Sequence, residues 1–261
     1  MPIFENTFIA VYVLVLLFIF GTIFASFIAC TAGRVLAGVD WVHGHSHCDT
    51  CGHELAIGDL FPIVSYIALK GKCRYCGARV PISCLFTEVL LGVAFVLTAV
   101  ANPYIDAVLL RNLALEVILL GISLTDIWQH KITNGFLFAA IAVYILTEPF
   151  MPNLTSYALD GVVASVGISA VLLIASTIME KAVKKTIIGG ADLKLFAVMF
   201  LFTGLWNGLF MLILTCLSGL IGMLVSRKKK IALAPFISGA TVFVLLVGDY
   251  FVNSYLTLIG G

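Results

Sequence analysis

The sequence predicts an all-α polytopic membrane protein with about eight transmembrane helices and a small polar domain between the first two. The first observation is composition: 61% of the 261 residues are hydrophobic and only 11% are charged, whereas a soluble domain carries about 25% charged residues. The second is the distribution of charge, since residues 6–33 and 195–226 contain no charged residue. Together these observations exclude an ordinary soluble enzyme, a disordered chain and a nucleic-acid-binding module.

The first apolar stretch predicts an uncleaved signal anchor whose N-terminus lies outside the cell. Residues 6–33 are too long for a signal-peptide core, and they follow the acidic Glu5 and precede the basic Arg34. The polar segment that follows is too small to be stabilised by a large hydrophobic core, so it needs a cross-link between its parts. We expect three parts: a first transmembrane helix in residues 1–33, a cytoplasmic domain in residues 34–83 and a transmembrane domain in residues 84–261.

The transmembrane domain is expected to hold the remaining spans. The uncharged stretch 195–226 has 32 residues, which as one helix would rise about 48 Å, whereas the hydrocarbon core of a bilayer is about 30 Å thick. Polar residues and glycines in 203–208 interrupt this stretch, so two short spans fit better than one. The other predicted spans are residues 84–101, 107–125, 134–147, 159–178 and 231–250.

Eight spans place nearly all basic residues on one side of the membrane. These residues fall in 34–79, at Lys131, in 181–194 and in 227–230. The positive-inside rule makes this side cytoplasmic. Arg111 is the exception, and we expect it to snorkel from the end of its span. The acidic residues expected on the opposite side are Glu5, Asp106, Glu148, Asp160 and Asp249.

Two CxxC pairs lie in the polar segment and predict a structural zinc site. Each pair is followed by a glycine, Gly52 or Gly77, which permits the tight turn of a metal knuckle. Four thiolates leave no open coordination position, so zinc would stabilise the small domain rather than catalyse a reaction. Redox-active thiols and plain reduced cysteines are the alternatives, and the nearby His43, His45 and His47 could compete for metal. The four predicted ligands are Cys48, Cys51, Cys73 and Cys76.

Two aspartates lie where a span meets the cytoplasmic side, and they form the candidate catalytic pair. Asp126 ends the third span, and Asp192 follows two glycines and precedes an apolar stretch. Carboxylates at a membrane are costly and tend to be functional. The alternatives are an interfacial carboxylate for Asp126 and a helix N-cap for Asp192. Glu88 begins a span on the cytoplasmic side, and Glu116 lies deeper without an assigned role.

These motifs resemble those of the bacterial type IV prepilin peptidases, which are leader peptidases of the GxGD aspartic class. Residues 46–55 resemble the first cysteine knuckle of that family, and residues 59–66 and 71–77 resemble its continuation. The two aspartate motifs are matched by Asp126 with Ile132-Thr133-Asn134 and by Gly189-Gly190-Ala191-Asp192-Leu193-Lys194. Two positions depart from the family, since Ala191 replaces the second glycine of GxGD and Thr133 replaces a proline. These departures put loop geometry in question more than chemistry.

The resemblance implies cleavage of the leader of a prepilin or pseudopilin at the cytoplasmic face of the bacterial plasma membrane. Asp126 and Asp192 would be catalytic. Gly189 and Gly190 would let the substrate backbone approach, and Lys194 would neutralise a carboxylate or snorkel. Many members of the family also methylate the new N-terminus with S-adenosylmethionine, although no glycine-rich nucleotide fingerprint occurs here.

Two other classes of protein fit the same residues. A transporter would use Asp126 and Asp192 as a proton or cation relay. A zinc-bearing membrane adaptor would use the cysteine domain without any reaction. The expected partners are the prepilin substrate and the lipid bilayer, with no nucleic acid.

Overall fold

The computed structural model describes residues 3–40, 45–151, 154–183, 189–227 and 231–260. Within these residues the chain is helical, apart from loops and two isolated β-bridges in the polar segment. The apolar stretches form helices because a helix satisfies its own backbone polar groups, as a lipid environment requires. The α-helices are α1 (Thr7–Ala37), α2 (Val64–Ala68), α3 (Ile82–Ala101), α4 (Ala107–Gln129), α5 (Asn134–Thr147), α6 (Leu154–Val183), α7 (Gly190–Ser226) and α8 (Ala234–Gly260).

Helices α1 and α3 approach each other closely through glycines. A Cβ atom on Gly21 would lie 2.8 Å from the Cα of Gly92, and one on Gly92 would lie 2.9 Å from the ring of Phe18. Small residues allow such packing between helices in a membrane, where apolar side chains gain little from leaving lipid. These two helices lead into and out of the polar segment, so their contact anchors both ends of that segment.

Helix α4 is the centre of the bundle. Leu109 and Leu113, near its beginning, pack in a cluster with residues of α1 and α3. Leu115, Leu119 and Ile122, further along, pack in a second cluster with residues of α5, α7 and α8. Helix α4 therefore lies between α1 and α3 on one side and α5, α7 and α8 on the other.

Helix α7 reverses its direction at Gly204. This residue has φ 67° and ψ −165°, a conformation outside the helical region that glycine adopts without strain. A Cβ atom on Gly208 would lie 2.3 Å from the ring of Phe200, although eight residues of straight helix would rise about 12 Å. The chain has therefore turned back on itself, and α7 crosses the bundle twice, as residues 190–203 and 205–226.

The prediction of about eight spans is confirmed. Six helices of the described chain are long and apolar enough to cross a membrane, and one of them is α7, which crosses twice. The shorter α5, with 14 residues, also runs from one end of the bundle to the other. The predicted division of residues 195–226 into two spans falls at Gly204, inside the interruption that the sequence indicates.

The two ends of the bundle differ in chemistry. The end that carries the polar segment, here called the cysteine end, also holds Asp126, Asp192 and the connection from α7 to α8. The opposite end holds residues 102–106 and 148–151 and a cavity of about 330 Å³ lined by both polar and apolar side chains. Among the predicted cytoplasmic residues, His43, Lys184, Lys185 and residues 228–230 lie outside the described part of the chain.

Arg111 does not snorkel, and this expectation was wrong. Its side chain is mostly buried inside the bundle, where its Nη1 lies 3.7 Å from the Oε2 of Glu148. Its guanidinium also lies 5.8 Å from the ring centre of Phe202. An acidic partner and an aromatic face compensate the cation within the bundle, so the side chain has no need to reach the membrane surface.

The orientation of the bundle can be checked with single cysteines at its two ends. We expect Tyr104→Cys, in the α3–α4 connection, to react with a membrane-impermeant maleimide in intact cells, because the positive-inside rule places the opposite end outside. Arg227→Cys, at the end of α7, should react only after the cells are permeabilised. The unsubstituted protein, with its seven native cysteines, provides the background. Labelling of Arg227→Cys in intact cells would contradict both the orientation and the reversal at Gly204.

Candidate functional site

Asp126 lies in the last turn of α4 and is buried, with 6% of its surface exposed. Its Oδ2 accepts a hydrogen bond of 2.9 Å from the backbone N–H of Ala234, the first residue of α8. The first N–H groups of a helix have no partner within the helix, and the helix dipole adds partial positive charge there. The N-terminus of α8 therefore stabilises negative charge on Asp126.

Asp192 lies in the first turn of α7, and its position depends on Gly189. Gly189 is the N-cap of α7, and its backbone N–H donates to the Asp192 carboxylate. A Cβ atom on Gly189 would lie 2.7 Å from Asp192 Oδ2, so only glycine leaves room for this arrangement. The alternative in which Asp192 itself is the N-cap is wrong, because it is the third helical residue and bonds back to the cap.

The structure brings the two aspartates together at the cysteine end. Asp126 comes from α4 and Asp192 from α7, and their carboxylates are close enough to interact electrostatically. Asp126 is buried and Asp192 is partly exposed, so the pair opens toward the end of the bundle rather than toward its middle. Two carboxylates in this arrangement interact unfavourably when both are ionised.

The two departures from the family motifs leave the loop geometry intact. Ala191 is helical within α7 and is not among the described residues with positive φ, so its position does not require glycine. Thr133 is the N-cap of α5 with φ −77° and ψ 126°, close to the φ that a proline ring imposes. The backbone at position 133 therefore has the shape that a proline would favour, and the helical backbone at position 191 accommodates alanine without strain.

Gly190 and Lys194 flank the pair in different ways. Gly190 is exposed, and a Cβ atom placed on it would meet no atom of the described residues within 4 Å. Lys194 is exposed, and in the described part of the chain it forms no ion pair with either aspartate. Of the two interpretations of Lys194, this geometry favours a side chain that extends to the membrane surface.

The polar segment folds as two similar knuckles. In the first, the N–H of Cys48 donates to His53 and the N–H of Gly52 donates back to Cys48. The second repeats this pattern with the residues Cys73, Ala78 and Gly77. Gly52 and Gly77 have φ of 70° and 72°, so the turn in each knuckle requires the glycine that follows the CxxC pair.

The four predicted cysteine ligands come together and could hold a metal ion. Their sulfur atoms all lie within 4.8 Å of one another, and those of Cys48 and Cys76 are 3.9 Å apart. Tetrahedral zinc with Zn–S bonds of about 2.3 Å would place its sulfurs about 3.8 Å apart, so the cluster fits such an ion. Within the described residues the metal-ligand group contains these cysteines and no histidine. All four are free thiols.

The backbone of the first knuckle favours a thiolate. N–H groups of Cys51 and Thr50 point at the sulfur of Cys48, and their hydrogen bonds lower the pKa of this thiol to about 6. The thiolate is the form of cysteine that binds metal. The N–H groups therefore favour the thiolate form at Cys48, whereas desolvation and hydrogen bonds with the other three thiols raise the pKa of Cys76 to about 11.

Sequence reasoning did not anticipate the role of Ala234. A backbone amide has no side chain to mark it, and it lies 108 positions from Asp126 along the chain. The signal that could have found it is Pro235, since proline is common in the first turn of a helix, where its missing N–H costs nothing. A helix start at this point would have placed free N–H groups at the cysteine end.

The fold and the site define a polytopic membrane protein whose polar segment, residues 34–83, forms a four-cysteine domain, with a pair of aspartates at the same end of its bundle. Residues 19–102 match the family model of the bacterial peptidase A24 N-terminal domain. This match covers the end of α1, the polar segment and α3.

Several curated proteins are similar to the chain over most of its length. A prepilin leader peptidase/N-methyltransferase of Bacillus subtilis is 27% identical over 254 residues, which cover 93% of this chain and 98% of that protein. Proteins with the same name from Pseudomonas aeruginosa and Neisseria gonorrhoeae are 27% and 29% identical over 83% and 72% of this chain, and over 76% and 63% of their own lengths. No solved structure matches the chain.

The resemblance to the bacterial prepilin peptidases is thereby confirmed. The family-model match covers the four-cysteine region, and the similarity to the Bacillus subtilis protein extends over both aspartate motifs, since it spans nearly the whole chain. The transporter alternative gains no support from these similarities.

Proposed function

We propose that the protein is a membrane-embedded aspartic endopeptidase that cleaves the leader of a type IV prepilin or pseudopilin at the cytoplasmic face of the bacterial plasma membrane. The observation that carries this proposal is the meeting of Asp126 and Asp192 at the cysteine end. The names of the similar proteins support the substrate class. The charge distribution supports the cytoplasmic location of this end.

In the proposed hydrolysis the two aspartates would share one proton, so that one carboxylate acts as a base and the other carboxyl group as an acid. The charged carboxylate takes a proton from a water molecule, and the water oxygen attacks the carbonyl carbon of the scissile bond. The neutral carboxyl group donates a hydrogen bond to the carbonyl oxygen and then protonates the leaving nitrogen as the C–N bond breaks. Titration of such a pair belongs to both groups together, so the roles of base and acid are assigned to the pair.

The surroundings of the pair suit a substrate with an extended backbone. A prepilin has a basic leader followed by a hydrophobic helix, and that helix would lie in the bilayer against the bundle. Its cytoplasmic end would then lie at the depth of Asp192. Gly190 carries no side chain, and no atom of the described residues lies within 4 Å of where its Cβ atom would be, which would let an extended substrate backbone approach there.

The four-cysteine domain would hold structural zinc and support a second reaction. Cys48, Cys51, Cys73 and Cys76 would be its ligands, and the ion would fix the two knuckles against each other. The names of the similar proteins support N-methylation of the new N-terminus, for which S-adenosylmethionine would supply the methyl group. We propose that this step takes place at the four-cysteine domain, which lies at the same end of the bundle as the aspartate pair.

The function can be tested by co-expression with prepilins and pseudopilins in a host that lacks its own leader peptidase. We expect the substrate to lose its leader and to gain the mass of one methyl group at the new N-terminus, both read by mass spectrometry of the intact protein. A host strain with a known leader peptidase provides the positive control. Substrates that this control processes, but that keep their leaders with the present protein, would contradict the proposal.

A further inference from the structure

A strained turn lies in the four-cysteine domain just before α2. Ile63 has φ 60° and ψ −53°, and the N–H of Val64 donates across it to the carbonyl of Pro62 at 2.5 Å. This is a γ-turn with positive φ at its centre, which is a rare and strained conformation. A β-branched residue such as isoleucine is especially unfavourable there. Strain of this kind persists only where surrounding contacts impose it, and it concentrates at functional positions.

The contact that imposes the turn comes from a transmembrane helix. Glu88 lies two turns into α3 with 9% of its surface exposed, and its Oε2 accepts a hydrogen bond of 2.8 Å from the N–H of Ile63. The side chain of Ser26 in α1 lies next to the same carboxylate. One carboxylate therefore joins the four-cysteine domain to the two helices that flank it.

The segment just before the turn forms an ion pair with the second knuckle. Asp59 precedes the turn, and only 3% of its side chain is exposed. Its Oδ1 lies 2.7 Å from the Nε of Arg74, which stands between Cys73 and Cys76. The segment 59–63 is thus held at both ends, by Arg74 of the second knuckle at Asp59 and by Glu88 of α3 at Ile63.

The surroundings of the turn explain why the N–H of Ile63 needs a partner from the protein. The apolar side chains near it are exposed and form a surface suited to the membrane boundary: Ile57, Leu60, Phe61, Val64 and Ile67. The N–H of Ile63 points at a largely buried carboxylate on α3, and a buried backbone N–H has to be paired within the protein. Glu88 supplies the acceptor.

We propose that Glu88 is a positioning residue that docks the four-cysteine domain onto the membrane bundle by holding Ile63 in its γ-turn. Resting on the proposed function, this docking fixes the domain at the end of the bundle that holds Asp126 and Asp192, so that the N-terminus released by cleavage can reach the domain that supports methylation. Loss of the contact would separate the two reactions. Cleavage needs only the two aspartates, whereas methylation needs the domain in its place.

The experiment uses the full-length protein in nanodiscs and two measurements. The first is deuterium uptake of peptides covering residues 59–67, which reports the docking without any assumption about activity. The second is the ratio of methylated to cleaved prepilin. The variants are Glu88→Ala, Glu88→Gln and the double variant Glu88→Ala with Ile63→Gly. Glu116→Ala is the matched control, because Glu116 is also a buried carboxylate that accepts a hydrogen bond between α3 and α4, from Thr98.

For Glu88→Ala we expect deuterium uptake about tenfold faster and a ratio of methylated to cleaved product about fivefold lower. Glu88→Gln should stay within about twofold of the parent protein, because its amide oxygen still accepts from Ile63. Ile63→Gly should recover about half of the lost ratio, because glycine adopts positive φ without strain. Glu116→Ala should leave the ratio unchanged.

Two results would overturn the docking role. One is uptake in Glu88→Ala equal to that of the parent protein, and the other is a loss of methylation in Glu116→Ala equal to that in Glu88→Ala. Failure of the proposed function looks different. The parent protein would then process no prepilin, while the uptake measurement alone would still decide whether Glu88 holds the domain.

Discussion

Leader cleavage is expected to fall by roughly a thousandfold when Asp192 is replaced by asparagine, and by a similar factor for Asp126→Asn. Asparagine has nearly the same size as aspartate but cannot hold or exchange the shared proton. The measurement is single-turnover cleavage of a purified prepilin, with the amount of folded enzyme checked by size-exclusion chromatography. Asp126→Asn can still accept the hydrogen bond from Ala234 through its amide oxygen, so the loss would reflect chemistry rather than a broken contact.

Asp249→Asn is the matched control for these two variants. Asp249 lies on α8 at the opposite end of the bundle, where its Oδ1 accepts from Asn207 at 2.6 Å. The substitution removes the same charge and keeps the acceptor, so cleavage should change by less than about twofold. Near-normal turnover by Asp126→Asn or Asp192→Asn would show that the pair is not catalytic. An equal loss in Asp249→Asn would point to a general effect of charge removal.

Metal content and methylation are expected to fall together when Cys48 is replaced by serine. The parent protein should contain about one zinc ion per chain, held by bonds of roughly 2.3 Å to the four sulfurs. Structural zinc sites stabilise small domains by about 10 kcal/mol, so loss of a ligand should unfold the knuckles. Zinc can be measured by mass spectrometry of the metal, and the two activities by the mass of the prepilin product. Methylation should suffer more than cleavage, because the aspartates belong to α4 and α7.

Cys216→Ser is the matched control for the cysteine experiment. Cys216 is an exposed free cysteine on α7, outside the four-cysteine cluster. Its replacement should leave zinc content and both activities unchanged. Purified parent protein that contains no zinc, when kept reduced throughout, would contradict the metal site. Cleavage and methylation that fall equally in Cys48→Ser would contradict the separation of the two reactions.

The features that could be predicted from the sequence are those that depend on residues close to one another along the chain. Residues 195–226 are uncharged but too long for one span, and the polar interruption contains Gly204, where the chain turns. The CxxC pairs carry their own turn glycines, so the knuckles could be predicted from spacing alone. Asp126 and Asp192 could be placed at one depth because spans alternate in direction.

The features that the sequence did not predict depend on contacts between distant parts of the chain. Ala234 meets Asp126 only because α8 begins beside the end of α4. The γ-turn at Ile63 has no local signal, since isoleucine ordinarily avoids positive φ and a carboxylate on α3 imposes it. Arg111 was expected at the surface because its burial depends on Glu148, which comes from another helix.

The bond between Ala234 and Asp126 also has a consequence for biogenesis. Both aspartates emerge from the ribosome before Ala234, and Asp126 precedes its amide donor by 108 residues. A nascent chain that has inserted as far as residue 226 therefore carries both carboxylates but lacks the helix end that stabilises negative charge on one of them. The site is completed only when α8 has entered the membrane and packed against α4. Synthesis and membrane insertion would thus delay proteolytic competence until the bundle is assembled.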